Sequence, residues 1–391
     1  MKAQKIIIIN SHPIQYFGPL YRSLAKDFDI TVLYCSDHGV KPSYDEEFGV
    51  LVQWDIPLLE GYDYKFLKNY APKPKMSFWG LVNFGIIKEI YEAPPKSIIW
   101  IHGWQYFTNI LAIFVGKLLG HTVCLRTEAT FMHEQKKGKL FLRKLIFTSM
   151  FYFFDLFLYI GEQSKKFYRY YKVPDRKLIS MPYSVDNERF INFYENNKSR
   201  KNDFREQMGI PLDKTVLLCV GKLVPKKRTI DLVKAFHLLN DKSIELVFVG
   251  EGEKRFEIES YVNKHKLENI KIMGFINQTQ IVNYYLIADI YLMCSGSEGE
   301  TWGLSTNEAM CSNLPIILSH TVGGADDLVT PYNGIVYQSG NIAELAQSIK
   351  IIKTKFCDNK EQCQSQQVVR KYSYEVIANS LSKIANHKTH N

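Results

Sequence analysis

TVLLCVGKLVPKKRTIDLVKAFHLL, residues 215–239, changes its periodicity at a glycine. Up to Gly221 a short apolar run fits a buried strand; from Thr229 onward, apolar residues recur at helical spacing. Between the two, Gly221 marks a turn, and Lys222, Lys226, Lys227 and Arg228 crowd one loop. Strand, loop and helix in this order form the unit of a parallel sheet, because parallel strands need a crossover connection.

The unit recurs in both directions. Downstream, IELVFVGEG (244–252), NIKIMGF (269–275), IYLMCSG (290–296) and LPIILSH (314–320) read as strands, with a helix over RFEIESYVNKHK (255–266). Upstream, the polar stretch NFYENNKSRKNDFREQMGIP (192–211) reads as a linker with a short helix at 201–208. Before it stand the strand-like runs KIIIIN (5–10), ITVLYCS (30–36), SIIWIH (97–102), HTVCLRT (121–127), LFLYIG (156–161) and KLISMPYSVD (177–186). Helices fit between them from about Pro19 to Lys26, over 104–120 with a stop at Gly120, and from Ser164. The chain therefore reads as α/β with two doubly wound, Rossmann-like domains, at 1–191 and 212–371. Residues 372–391 form a terminal helix and tail, expected to pack back toward the N-terminal domain. Ligands of such sheets bind beyond the carboxyl ends of the strands, so the expected site is a cleft between the domains.

Composition narrows the partners. The chain has 391 residues, 46% hydrophobic, enough for two cores. A net charge of +9 favours anions such as nucleotides, phosphates or an anionic membrane surface, without arguing for nucleic acid. The seven cysteines are scattered with no CxxC pair, and Cys and His show no metal-site spacing. Reduced thiols, a cytoplasmic location and no metal are the expectation. MKAQKIIIINSHP does not read as a signal peptide, and Arg143, Lys144 and Asp155 interrupt the apolar region 140–160, short of the ~20 residues of a membrane span.

SEGETWGLSTNEAM, residues 297–310, carries the chemistry. The strand before it ends near Gly296, so Glu300 falls in the loop at its carboxyl end and Glu308 in the helix that follows. Gly303 permits close backbone approach, a helix start can hold a phosphate, and a carboxylate can accept both hydroxyls of a ribose. The competing reading is a capping or surface salt-bridging glutamate. Lys222 and Lys227 can neutralise a diphosphate, including the charge that develops as it leaves; alone, such a turn also fits a solvated basic loop. VGEGEKR (249–255) has neither the ending of a P-loop nor the GxGxxG spacing. In the N-terminal half, His12 and Gly18 lie in NSHPIQYFGP (10–19), His102 ends one strand, and Arg126 and Glu128 end another. Each also fits an ordinary turn or buried polar residue.

Together these residues resemble the retaining, nucleotide-sugar-dependent glycosyltransferases of family four, which have the GT-B fold. That family's signature is a glutamate, seven residues, then a second glutamate followed by Ala-Met, here Glu300 to Met310. Its Gly-Arg-Leu with a later lysine is similar to Gly221-Lys222-Leu223 with Lys227, and its Val-Gly-Asp-Gly-Pro run to VGEGEKR. VGGADDLV (322–329), YNGIVY (332–337) and ISMPYSVDNERF (179–190) look like its later turns and its interdomain segment. The resemblance covers the chain and is densest over 215–340. It implies that Lys222 and Lys227 bind the donor diphosphate, that Glu308 holds the ribose and that Glu300 contacts the transferred sugar. It further implies that the backbone of Thr301, Trp302, Gly303 and Leu304 cradles sugar and phosphate. Phe275 and Ile276 would lie beside the base, and Gly18 would let its loop reach the donor. Two departures stand out. Lys222 replaces an arginine and loses its bidentate fork. Glu128 stands where many members have a sugar-contacting histidine, for which His102 is the substitute.

The activity implied is retaining, metal-independent transfer of a hexose from a nucleotide sugar to a carbohydrate or lipid-linked acceptor, with Glu300, His102 and Lys227 as catalytic residues and His12, Arg126 and Glu128 as further substrate contacts. A cell-surface polysaccharide or glycolipid would be the product, and no cofactor is needed. The rival readings are a sugar-nucleotide epimerase on the same plan and a non-catalytic nucleotide-sugar-binding protein. HEQKKGKLFLRKLIF (133–147) mixes cations with large apolar residues and fits either contact with the inner face of the membrane or a basic loop entering a buried helix.

Overall fold

The computed structural model describes residues 4–130, 137–296 and 300–386, the side chains of 137–143 and 386 excepted. The apolar runs become strands: β1 (Ile6–Asn10), β2 (Ile30–Tyr34), a small ribbon of β3 (Ser43–Asp45) and β4 (Val50–Val52), then β5 (Asp63–Phe66), β6 (Ile98–His102), β7 (Thr122–Arg126), β8 (Leu156–Tyr159) and β9 (Leu178–Ser180). Apart from the ribbon they form one parallel sheet in the order β5-β2-β1-β6-β7-β8-β9. A second parallel sheet has the order β12-β11-β10-β13-β14-β15. Its strands are β10 (Thr215–Val220), β11 (Ile244–Val249), β12 (Ile270–Ile272), β13 (Ile290–Met293), β14 (Ile316–Ser319) and β15 (Gly334–Tyr337).

Helices cover the sheets and bury their apolar residues. In the first sheet Ile7, Ile99, Val123 and Leu125 pack in one cluster with Phe151, Phe157, Phe167 and Tyr168. In the second, Leu217, Leu246, Phe248 and Leu292 pack with Leu232, Val233, Phe236 and Ile349. The helix Thr229–Leu239 has the bounds read from its periodicity. All seven cysteines are free, five of them buried.

The chain divides into two compact units that do not follow sequence order. One holds the residues up to Ser43, then Ile56–Ser184 and those from Ser373; the other holds Tyr44–Asp55 and Val185–Tyr372. The helix Tyr374–Asn386 thus belongs to the first unit, against β9 and the helix Phe17–Leu24.

The break falls after Ser184 rather than at residue 191, and 192–211 is not an open linker. A helix runs over Asn187–Asn197, capped by Asp186, whose carboxylate accepts from the Arg189 amide at 3.2 Å. A second helix, Lys201–Gln207, is pinned by its own charges. Asp289 accepts from Lys201 at 2.7 Å, from Arg205 at 2.6 Å and from the Val216 amide at 2.7 Å. The cations that make this segment look solvated are its anchors.

Of 177–186 only Leu178–Ser180 is strand. Among the described residues no helix is long and apolar enough to cross a membrane. Of the basic stretch 133–147, residues 133–136 and the side chains of 137–143 lie outside the description.

Candidate functional site

In the second sheet the strand order reverses at β10, which has β11 on one side and β13 on the other. The crevice outside such a switch point is where open parallel sheets bind ligands. The loops after β10 and β13 flank it, and they carry the lysines and the first glutamate. Lys227 Nζ donates to the Glu300 carboxylate, and both side chains are largely buried. The basic and acidic loops are therefore neighbours.

The acidic loop is tightly held. Gly323 donates its N–H to the Glu300 carbonyl at 2.8 Å, and Gly324 to the Trp302 carbonyl at 3.1 Å. A Cβ at Gly323 would lie 2.0 Å from the Thr301 carbonyl oxygen, so only glycine allows this approach. The Trp302 ring is buried, and its Nε1 donates to Asn307 Oδ1 at 2.9 Å. That ring anchors the loop in the core. Gly303, at φ 96°, then turns the chain into the helix Leu304–Cys311.

Glu308 lies in that helix and is only 2% exposed. Tyr285 Oη donates to its Oε2 at 2.6 Å, while Oε1 has no hydrogen bond among the described residues. Burial raises its pKa above the ordinary carboxylate value; Tyr285 and the nearby Arg189 counter this in part. Glu300 and Glu308 both act electrostatically on the buried Tyr291, whose hydroxyl pairs with Ser305 Oγ at 2.7 Å.

Lys222 and Lys226 are not open to solvent anions. Asp45 accepts from Lys222 at 2.9 Å, and Glu47 accepts from Lys222 at 2.9 Å and from Lys226 at 2.7 Å. Phe48 meets the edge of Phe275 with ring centroids 5.1 Å apart, and Trp54 lies 6.1 Å from the same ring. Lys222 Nζ stands 4.7 Å from the Phe48 centroid. Ile276, beside Phe275, is half-buried. At the far end of the segment the Asp55 carboxylate accepts from the Thr279 amide at 3.1 Å and from its hydroxyl, and Asn277 Nδ2 donates to the Gln53 carbonyl.

The first unit has its own polar cluster, where its strand order reverses between β1 and β6. Asn10 Nδ2 donates to Tyr21 Oη at 3.1 Å, and Tyr21 Oη lies 3.1 Å from His102 Nε2. The His102 ring stacks on Trp100 at 5.3 Å. Burial, then the neighbouring Arg126, hold its pKa well below the ordinary histidine range, so it is neutral at pH 7. Arg126 is buried against the faces of Tyr183 and Phe17 at 4.5 and 5.5 Å. Its Nη2 donates to the Pro182 carbonyl at 3.2 Å, and its Nε has no hydrogen-bond partner among the described residues. Burial lowers its pKa to about 10, so it remains charged. Glu128 accepts from Tyr183 Oη. His12 pairs with Ser11 Oγ at 2.9 Å, and burial beside His38 lowers its pKa to about 4.

Gly18 differs from its expectation. It lies in the first turn of the helix Phe17–Leu24, buried, where a Cβ would come within 2.8 Å of the Leu58 carbonyl oxygen. Close packing accounts for it, not an open loop.

Within the second unit the fold joins Lys227 to Glu300, and sets Lys222 and Phe275 on either side of Phe48, with Glu308 on the helix after the Glu300 loop. Tyr285, Asp45, Glu47 and Phe48 were not identified from sequence. Tyr285 lies on a helix, Gln278–Ile287, whose apolar residues show no clear stripe. Among the described residues no group of three or more His, Cys, Asp or Glu is placed to hold a metal. A cavity of about 580 Å³ in the same unit is lined by Lys201, Arg205, Lys214 and Asp289, charges already paired with one another or with other residues.

Residues 200–369 match the family described as glycosyl transferases group 1. The chain is 28% identical over 156 residues to the putative teichuronic acid biosynthesis glycosyltransferase TuaC of Bacillus subtilis, covering 40% of this chain and 37% of that protein. It is 29% identical over 119 residues to the alpha-monoglucosyldiacylglycerol synthase of Acholeplasma laidlawii, covering 30% and 29%. The chain thus spans well under half the length of these curated relatives. A glycosyltransferase from Rickettsia africae superposes over 100% of both chains, with TM-score 0.75 and 14% identity. Anabaena Alr3699/HepE in complex with UDP and glucose superposes over 97% of this chain and 99% of that one, with TM-score 0.69 and 16% identity. The fold is the GT-B fold of these glycosyltransferases.

Proposed function

We propose that this chain, whose residues 200–369 match the group 1 glycosyl transferases, moves a sugar from a nucleoside-diphosphate donor to an acceptor hydroxyl and retains the anomeric configuration. The observation that carries the reading is the meeting of Lys227 and Glu300 at the switch point of the second sheet. A cation for a leaving diphosphate and a carboxylate for a sugar are the two groups the reaction needs side by side. Glu308, buried with one oxygen unused, supports ribose binding. The names of the relatives, one in teichuronic acid synthesis and one making a glycolipid, support a product at the cell surface.

In this mechanism Lys222 and Lys227 take the diphosphate and Glu308 the ribose hydroxyls. Phe275 and Ile276 flank the base. Glu300 leaves Lys227 for the sugar hydroxyls, and the backbone from Thr301 to Leu304 faces sugar and phosphate. The bond from the anomeric carbon to the phosphate oxygen breaks and an oxocarbenium-like centre develops. The acceptor oxygen attacks from the side being vacated. Its proton passes to the departing phosphate oxygen, so no side chain need serve as base. The lysines stabilise the charge where it forms. In the first unit, Arg126, Glu128, His12 and neutral His102 are proposed as further substrate contacts. No metal is assigned a role, and full activity in excess chelator is the expected result.

A thermal-shift screen of nucleotide sugars tests the reading. At 100 times Kd the right donor stabilises by ~2.7 kcal/mol, a rise of roughly 5–10 °C for a domain of this size. Glu308→Gln is the control. Its carboxamide oxygen can still accept from Tyr285 Oη, so the fold should hold. The variant should nevertheless lose the donor shift. A full donor shift in Glu308→Gln would remove the ribose role. Product formed from donor without acceptor would favour the epimerase.

Membrane contact is part of the proposal. Lys144, whose ammonium lies 4.7 Å from the Tyr170 ring centroid, adjoins the exposed Leu145 and Ile146, and Tyr152 is exposed nearby. A basic, apolar surface of this kind can rest on anionic lipid. Flotation with phosphatidylserine vesicles should fall at least threefold when Lys136, Lys137, Lys139, Arg143 and Lys144 are all changed to Gln. Unchanged flotation would remove the contact.

A further inference from the structure

Tyr44–Asp55 comes from the N-terminal part of the sequence, between β2 and β5, yet folds as part of the second unit. It is attached at three points. Its carboxylates Asp45 and Glu47 sit on Lys222 and Lys226. Its Phe48 and Trp54 close on Phe275. Its Asp55 and the Gln53 carbonyl are held by Thr279 and Asn277, at the start of the helix Gln278–Ile287. In the donor site proposed above, Lys222 meets the diphosphate and Phe275 the base. The segment lays two anionic groups on the first position and an aromatic ring on the second, spaced along one short ribbon.

We infer that Tyr44–Asp55 is a self-inhibitory strap that occupies the donor site as a mimic of a nucleoside diphosphate, with Asp45 and Glu47 in place of the phosphates and Phe48 in place of the base. The inference rests on the donor-site reading and adds its regulation. A donor must displace the strap from Lys222, because one ammonium cannot serve two carboxylates and a diphosphate together. The hydrogen bond from Lys226, and then that from Lys222, outweigh desolvation and lower the Glu47 pKa to about 2. The contact is thus present above the ordinary carboxylate pKa and is lost only as the pH falls toward about 2. The strap responds to competing anions and not to physiological acidity. A strap docked in ~90% of molecules weakens apparent donor affinity roughly tenfold. The ribbon has an exposed rim, with Glu46, Gly49 and Leu51 in solvent, and of its apolar side chains only Val52 is fully buried, so little core opens when it lifts.

The test is hydrogen exchange on the full chain with inorganic pyrophosphate as the only addition. Amides of 44–55 should exchange faster as pyrophosphate rises through the millimolar range. Slower exchange, meaning a lid that closes on the anion, would overturn the strap, and so would no change. The double variant Asp45→Asn/Glu47→Gln should exchange fast in this segment without pyrophosphate. In transfer assays it should lower donor KM by about 3–10-fold, with kcat within a factor of two. A raised or unaltered KM would mean that the carboxylates position the lysines and do not block them. The exchange experiment needs no turnover. Should the chain transfer no sugar at all, displacement by pyrophosphate still tests the strap, and transfer with unchanged exchange defeats the strap alone.

Discussion

Glu300→Gln should lower kcat by about 10²–10³-fold, with little change in donor KM. The side chain accepts from Lys227, and the backbone carbonyls of Glu300 and Trp302 receive Gly323 and Gly324. In the proposed reaction its charge matters most when positive charge grows on the sugar ring, so the loss should appear in the transition state rather than in binding. Gln keeps the shape and can still accept from Lys227, so the fold should hold, with Tm within about 3 °C of the parent. Lys227→Gln should separate from it, raising donor KM as well as lowering kcat, because a diphosphate is anionic before and after cleavage. Steady-state kinetics with a purified donor, on variants whose circular dichroism matches the parent, decide the matter. A Glu300→Gln enzyme within threefold of normal kcat would end the catalytic assignment.

The largest effect on stability should come from a residue outside the site. Asp289→Ala should cost about 3–5 kcal/mol, the usual penalty for stranding buried charges. Asp289 receives Lys201, Arg205 and the Val216 amide, and Arg205 is 4% exposed. Taking the carboxylate away leaves two cations without their counter-charge and frees the first strand of the second sheet at its start. Burial alone would raise the Asp289 pKa, but Lys201, Arg205 and the Val216 amide outweigh it and hold it below the ordinary range. A depressed carboxylate stabilises the fold above its unfolded pKa, ~3.9, and that stability goes as the pH falls through the lower folded value. The parent should accordingly show an acid limb in its urea-melt stability below about pH 4. Asp289→Ala should show a shallower limb. A variant less than 1 kcal/mol weaker at pH 7 would show that the network contributes little.

The same residues show what sequence reading can and cannot reach. β1, β10 and β11 are short, nearly unbroken apolar runs, buried on both faces, and a pattern of that kind has few other homes. β5 is Asp-Tyr-Lys-Phe and wholly exposed, so nothing in its letters separates it from a loop. The helices over 187–207 are polar because their charges bind the second unit, and polarity without a periodic stripe reads as linker. The site divides in the same way. Lys227 and Glu300 were legible because each follows a strand and faces the carboxyl end of the sheet. Tyr285 is a partner by tertiary contact alone, reaching Glu308 from another helix. The ribbon at 43–52 lies more than 150 positions before the lysines it covers, and its Ser-Tyr-Asp and Val-Leu-Val strands carry no mark of that destination.

The helix Tyr374–Asn386 has a further consequence for how the protein is made. Its Ile377, Leu381 and Ile384 are buried within the first unit. During synthesis that unit emerges first, yet a patch of its surface stays uncovered until the ribosome has passed residue 386. The main part of the second unit, Val185–Tyr372, is therefore translated in full before its predecessor is sealed. Nascent chains stalled short of that point should present a sticky face to chaperones, at the opposite end of the message from where the unit began.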